Sequence, residues 1–493
     1  MRSLYSILIM LPVVCDPGVV AQRPIPPLEQ TGELVVLTRN SATTRYIDAQ
    51  GGYTGLEYDL VEMFARELGV SVRYLDRQPF YQVLRALGES HAHLAAAGVA
   101  VTPGRLEQFR FGPAYQLVQP MLAYNTDNPA PRNLGDLAGM RVEVVKGSGV
   151  VERLRQLKKR YPALTWTEVA ENDSEGLLSR LSDGKVDYVI TDSTVLDVGR
   201  NFYPNVARAF PVGDQEPLAW VFPKDGDPVL YKRAQEFFMR ISYDGTLKRL
   251  LERYYGHVNR LDRLDIANFL ENRETLLPHF RGMFKEAQEI TGIDWRLIAA
   301  LGFQESHWDP LATSPTGVRG LMMLTSDTAD RMGLGDRLDP RQSILAGATY
   351  LQELKESLPP RIAEPDRTWL ALAAYNIGLG HLEDARVLTQ RRGGNPNLWL
   401  DVKKVLPLLA RYEYYSTLKR GFCRGGEALV LTENIRNYFD ILVRFEDPHT
   451  PGLGNLLAGG GNAREDARSA RTADAADARG PQLTSRPVAR TLK

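Results

Sequence analysis

The residue best placed to do chemistry is Glu305. Asp294 can cap a helix that begins at Trp295, and Trp295, Ile298, Leu301 and Gly302 then fall on one apolar face. Glu305 lies four residues after Leu301 and seven after Ile298, on the same inward stripe, and Asp309-Pro310 ends the helix soon afterwards. A carboxyl group at the end of a buried stripe is costly unless the site uses it. Desolvation raises the pKa of such a group, which suits a general acid. The structural alternative is a capping or solvated Glu near a helix end.

Three later stretches set polar or flexible residues beside helical runs. Residues 316–325 (TGVRGLMMLT) form a glycine-punctuated loop that enters a helix and carries Met322 and Met323. Ala374-Tyr375-Asn376-Ile377-Gly378 puts an aromatic and an amide at a helix end, where Gly378 can terminate the helix. Glu433-Asn434-Ile435-Arg436-Asn437-Tyr438 places a second polar aromatic in a late helix. On their own, Tyr375 and Tyr438 fit core packing with satisfied hydroxyls equally well.

A second set of residues lies nearer the N-terminus. Thr102-Pro103-Gly104-Arg105 sets an Arg just after a strand, Lys146-Gly147-Ser148-Gly149 opens a helix, and Asp192 closes the strand Tyr188–Thr191. An Arg fork, free N–H groups at a helix start and a carboxylate can together hold an α-carboxylate and an amine. Taken singly, each has a plain reading: Arg105 as a surface charge, Gly-Ser-Gly as a turn, Asp192 as a helix cap.

Composition narrows the classes. Lys+Arg total 60 and Asp+Glu total 60, so the basic excess of a dedicated nucleic-acid binder is missing. Two cysteines, Cys15 and Cys423, rule out a disulfide scaffold and a multi-cysteine zinc site. Seven histidines without HExxH spacing argue against a metal centre, and no cofactor is implied. Cys423 reads as an inert buried thiol.

The elements that must position these groups divide the 493 residues into units. Residues 1–21 read as a signal peptide: a positive start, an apolar run from Leu4 to Val14, and small residues at Val19-Val20-Ala21. Residues 22–267 alternate short β-rich runs with amphipathic helices. Strands are expected at Leu34–Thr38, Val70–Leu75, Leu94–Val101, Arg141–Val145 and Tyr188–Thr191. Helices are expected at Glu57–Leu68, Phe80–Leu87, Val150–Tyr161 and Ser174–Leu181. That alternation predicts an α/β domain with largely parallel sheets. Residues 268–450 have helical period nearly throughout, at Thr275–Thr291, Trp295–His307, Gln342–Leu358, Trp369–Ile377 and Thr432–Arg444. The tail, 451–493, has no aromatic residue and is expected to be disordered.

In order, Glu305-Ser306, GLMMLT, AYNIG and ENIRNY resemble the goose-type-lysozyme-like catalytic domain of the soluble lytic murein transglycosylases, over roughly residues 270–445. Residues 33–256 resemble the periplasmic amino-acid-binding proteins of the type-three extracellular solute-binding family. The order signal, binding domain, transglycosylase resembles the membrane-bound lytic murein transglycosylases. The fold implied is a two-lobed, periplasmic-binding-protein-like α/β domain followed by an all-α, goose-type-lysozyme-like domain. The activity implied is non-hydrolytic cleavage of the β-1,4 bond between N-acetylmuramic acid and N-acetylglucosamine, leaving 1,6-anhydromuramoyl ends.

The resemblance makes Glu305 the single catalytic acid. Ser306, Met322, Met323, Tyr375, Asn376 and Tyr438 become substrate-binding, with the Tyr438 hydroxyl approaching the acid. Arg105, Ser148 and Asp192 become the regulatory ligand site, for a muropeptide or amino-acid-like ligand. Peptidoglycan glycan strands are the expected partner, in the periplasm, with peripheral attachment to the outer membrane. Two alternatives stay open: a periplasmic solute or peptidoglycan-fragment receptor without catalysis, and a lysozyme-like hydrolase.

Overall fold

A computed structural model describes residues 25–450, except 48–51, 78, 90, 171–172, 259–260 and 315–316. The expected signal peptide and the expected disordered tail lie outside the described residues.

The α/β part has two lobes, each built on a five-stranded sheet. In the first, the strand order is Ser71–Asp76, Glu33–Thr38, Leu94–Ala95, Val221–Pro223, Phe109–Phe111. In the second it is Thr167–Val169, Val142–Val145, Tyr188–Asp192, Pro120–Asn125, Val206–Pro211. Glu33–Thr38 pairs in parallel with both of its neighbours, as does Val142–Val145 with its own. Val221–Pro223, Pro120–Asn125 and Val206–Pro211 pair antiparallel. The sheets are therefore mixed, not largely parallel as expected. The reason is the chain path: it leaves the first lobe along Gln116–Val118 and returns along Glu216–Leu218, and these two strands pair antiparallel as a hinge ribbon.

The strand expected over 94–101 is limited to Leu94–Ala95. Beyond it the backbone turns at Gly98 (φ +65°), whose N–H donates to buried Glu57 at 2.9 Å. Glu57 also accepts from Tyr115 Oη at 2.5 Å and Trp220 Nε1 at 2.7 Å, so its carboxyl carries a full set of donors inside the first lobe.

The strands end before the helical unit, as expected. A helix missed in the polar stretch, Arg263–Thr275, runs across the expected boundary at 267; its Ile266 and Phe269 join the helical core. Asp262 makes the capping box that starts it. Leu277–Thr291, Trp295–Ser306 and Pro340–Ser357 follow close to expectation. The helix expected to end near Ile377 spans Asp366–Arg391, interrupted at Gly378, whose φ of 79° and ψ of 151° break the ladder in a way a side chain would resist. The last helix runs Gly425–Phe445, starting seven residues before the expected Thr432.

This last helix joins the two parts. Asn437 Nδ2 donates to His257 O at 2.7 Å, and its Oδ1 accepts from Asn201 Nδ2 at 3.0 Å. Arg436 Nη2 donates to Arg253 O at 3.0 Å, at the C-terminal end of the helix Thr246–Tyr255. Arg444 pairs with Glu175, and Lys403 with Glu252. Both lobes thus touch the helical unit.

Candidate active site

The Trp295–Ser306 helix is buried on nearly every side, because Trp295, Leu297, Ile298, Leu301 and Phe303 all enter the helical core. Asp294 caps it, as the sequence predicts, by accepting from Arg296 N at 2.9 Å. Glu305 sits one residue from its C-terminal end and keeps part of its surface open to solvent. No hydrogen bond or ion pair holds its carboxyl among the described residues. Burial alone pushes its pKa up to about 8. The group is therefore mostly protonated at neutral pH, which is the state a proton donor needs.

The chain beyond the helix is strained. His307 (φ 54°) and Trp308 (φ 61°) are consecutive left-handed residues, a conformation rarely adopted by side-chain-bearing residues. Trp308 is held by its Nε1 donating to Ala299 O at 2.8 Å. This sharp reversal stops the helix immediately after Glu305-Ser306 and leaves His307 exposed.

The loop motif packs against this end. Ser306 Oγ donates to Gly302 O at 3.2 Å and Leu321 O at 2.7 Å, so it ties helix to loop and faces inward. Met322 is completely buried. Its expected place on the substrate surface is corrected: the side chain sits beneath that surface, against Gly302 and Gly347, because those glycines leave the space it fills. Met323, with φ 48°, is half-buried and keeps surface access.

Tyr375 and Asn376 arrive from the neighbouring helix, just before the Gly378 break. Tyr375 Oη donates to Met322 O at 2.9 Å, and its phenol pKa is raised well above the ordinary value, first by burial and then by the charge of Glu305. Asn376 is exposed. The structure thus brings Tyr375 near Glu305, with Asn376 next along the same helix, while Ser306 and the Met322 backbone tie the loop to them.

Tyr438 requires a second correction. Its hydroxyl does not approach Glu305. The ring is 4% exposed, stacks on Phe269 at 4.5 Å and meets Phe303 edge-on at 4.9 Å. Its phenol is shifted up by burial and then by Asp265 and Asp262, the acids at the start of the Arg263–Thr275 helix. The sequence reading also passes over Tyr350, 5.2 Å from the Tyr375 ring, and Ser343, whose Oγ accepts from Met322 N at 3.1 Å. Neither carries a motif signal; only packing reveals them.

The other carboxylate of the late motif, Glu433, is no partner for Glu305. It is fully buried and accepts from Trp399 Nε1 at 2.6 Å and Arg436 Nη1 at 3.1 Å, with Lys403 Nζ at 3.4 Å. Burial alone would raise its pKa, but Arg436 and Lys403 outweigh it and hold the carboxyl below its usual range. Glu433 is an ionised structural hub.

In the α/β domain, Arg105, Ser148 and Asp192 line one cavity between the lobes, together with Arg39, Phe80 and Glu216. Arg105 Nη1 donates to Ala100 O at 2.6 Å and Nη2 to Gly147 O at 2.7 Å, bridging the lobes, and burial pulls its pKa down to about 10. Asp192 caps the helix Ser193–Arg200 through Val195 N at 2.9 Å, and burial raises its carboxyl pKa. Cys423 is buried and unpaired, and burial raises its thiol pKa.

Comparison with known proteins places the two parts. Residues 282–397 match the transglycosylase SLT domain, and residues 34–257 match the bacterial extracellular solute-binding proteins, family 3. The class is therefore a transglycosylase domain behind a solute-binding domain. A membrane-bound lytic murein transglycosylase F from Nitrosospira multiformis is 51% identical over 88% of this chain and 90% of its own length. One from Methylobacillus flagellatus is 47% identical over 89% of this chain and 96% of its own. The chain belongs to the membrane-bound lytic murein transglycosylase F family. Among solved structures, an amino acid ABC transporter substrate-binding protein from Streptococcus pneumoniae bound to L-arginine is 24% identical, covers 46% of this chain and 97% of its own, and has a TM-score of 0.41.

Proposed function

We propose that this lytic murein transglycosylase uses Glu305 as both acid and base to cut the bond between N-acetylmuramic acid and N-acetylglucosamine. The observation that carries the assignment is a carboxyl group held largely neutral at a helix end, with no partner of its own among the described residues, near Tyr375.

Glu305 gives its proton to the glycosidic oxygen, so the C1–O4 bond breaks and the departing sugar gains a 4-hydroxyl. The neighbouring N-acetyl group supports the positive charge at C1. The Glu305 carboxylate then takes the proton of the muramyl 6-hydroxyl, and the C1–O6 bond closes the 1,6-anhydro ring. Glu305 ends protonated and no water is consumed. A glycosidase usually needs two carboxylates; substrate assistance removes that need. Positioned proton transfer is worth about 10²–10⁴-fold in rate.

The α/β domain takes an amino-acid-like ligand or a wall fragment in its cleft and biases the helical unit through the Gly425–Phe445 helix. Such coupling requires the ligand to favour one arrangement over another. No helix among the described residues is long and apolar enough to cross a membrane. The setting in this reading is the periplasm, with peripheral attachment to the outer membrane.

Mass spectrometry of digested sacculi tests the reaction. Anhydro-ended muropeptides are expected. Reducing ends would mean a lysozyme-like hydrolase, and intact sacculi would mean a receptor. Adding muropeptides during turnover tests the coupling; binding with an unchanged rate would remove it.

A further inference from the structure

Arg39 follows the Glu33–Thr38 strand into the inter-lobe cavity and is 5% exposed. Its Nε donates to Ala97 O at 3.2 Å, and its guanidinium carbon lies 5.1 Å from the centre of the Phe80 ring. Among the described residues it forms no ion pair. Two buried carboxylates, Glu57 and Asp192, act on it from a distance, but neither contacts it, so its outer nitrogens stay open to an anion in the cavity.

The other charges of the cavity are spoken for. Arg105 is spent on two carbonyls that bridge the lobes, and it faces Glu152 and Glu216. Glu216 lies 3.5 Å from Arg153. Glu57, the buried acid nearest Arg39 in its own lobe, is saturated by Tyr115, Trp220 and Gly98. Only Asp192 faces Arg39 across the cavity, and it is occupied at one oxygen by its helix cap.

Two hydroxyls are also left without partners in the same place. Ser148 Oγ and Thr191 Oγ1 are buried there and make no hydrogen bond. Ser148 stands at the N-terminus of the nine-residue helix Gly149–Leu157, whose first N–H groups and dipole favour a second anion. The cavity is enclosed by both lobes and is of a size for a single small ligand.

We propose that this cavity takes a free dicarboxylic α-amino acid, of the glutamate or aspartate class, with one carboxylate on Arg39. The second carboxylate sits at Ser148 and the start of the Gly149–Leu157 helix, and the ammonium group faces Asp192. Arg39, and not the bridging Arg105, then sets ligand choice. The proposal rests on the reading of the α/β domain as an amino-acid-type receptor and narrows its ligand to an acidic one.

Titration calorimetry of the full chain with L-glutamate, D-glutamate, L-glutamine and L-arginine tests it. One glutamate isomer should bind at least about tenfold more tightly than glutamine or arginine, since a site built to pair a charged group rejects the analogue lacking it. Arg39→Met should bring glutamate and glutamine within about threefold of each other, while Arg39→Lys should keep the preference. Circular dichroism confirms that both variants fold; if the Met variant does not, the selectivity of the unaltered chain and of Arg39→Lys decides. Glutamine or arginine binding as tightly as glutamate would overturn the ligand class but leave the receptor reading standing. If no amino acid binds the unaltered chain, the receptor reading falls and the proposal with it.

Discussion

The hydroxyl of Tyr375 donates to the backbone oxygen of Met322 at 2.9 Å, across 53 residues of sequence. That single bond fixes the glycine-rich loop to the helix that carries Asn376. It also spends the phenol proton on the loop, so Tyr375 orders the surroundings of Glu305 and does not itself supply a proton.

Removing that hydroxyl should loosen the loop. Tyr375→Phe leaves the Met322 carbonyl without its donor and should cost about 1–2 kcal/mol in urea unfolding. Turnover of sacculi should fall while Glu305 remains intact. Unchanged stability and unchanged turnover together would show that the bond does not form in solution.

The raised Glu305 pKa sets the pH profile. The free enzyme needs the protonated acid, so kcat/KM should hold up to near pH 8 and then fall by about tenfold per pH unit. A decline centred near pH 5 would show a carboxyl exposed to bulk water. Glu305→Gln should fold and lose at least about 10²-fold in rate at and below pH 8.

The same shift predicts a crossover in stability. The folded pKa of Glu305, about 8, lies above the ordinary 4.5. Below about pH 4.5 the group is protonated in both states and costs nothing; between about pH 4.5 and 8 only the unfolded chain gives up the proton, so stability falls across that window and levels off above it. Glu305→Gln should therefore match the unaltered chain at pH 4 and exceed it by on the order of 1–3 kcal/mol at pH 9. Thermal melts at the two pH values decide; a Gln variant that is less stable at pH 9 would contradict the dry setting.

Packing beneath the site is equally testable. A Cβ at Gly347 would come within 2.7 Å of Met322 Cβ and 2.8 Å of its Cγ and Cε. Gly347→Ala should cost about 1–3 kcal/mol by overpacking. Combining it with Met322→Ala should cost less than the sum of the two single changes, since the truncated side chain vacates the contested space.

Glu433 should prove structural. Glu433→Ala leaves Arg436 and Lys403 without their buried counter-charge and should destabilise by about 3–5 kcal/mol in urea unfolding. A well-folded Ala variant that lost activity selectively would instead make Glu433 a second participant in the reaction.

Periodicity alone placed Glu305 at the end of a buried stripe, capped by Asp294, because a 3.6-residue repeat is a local property of the chain. Motif order likewise marked Tyr375 and Asn376, and the change from alternating to all-helical pattern marked the two parts. The direction of Tyr438, the depth of Met322, the mixed sheets and the setting of Arg39 were decided only in the tertiary structure. Each depends on what distant segments bring: Phe269 to Tyr438, Gly347 to Met322, the returning hinge strand to the sheets, and Phe80 and Asp192 to Arg39. Sequence spacing determines which face of an element a side chain occupies; what waits on that face is set by the packing of the whole chain.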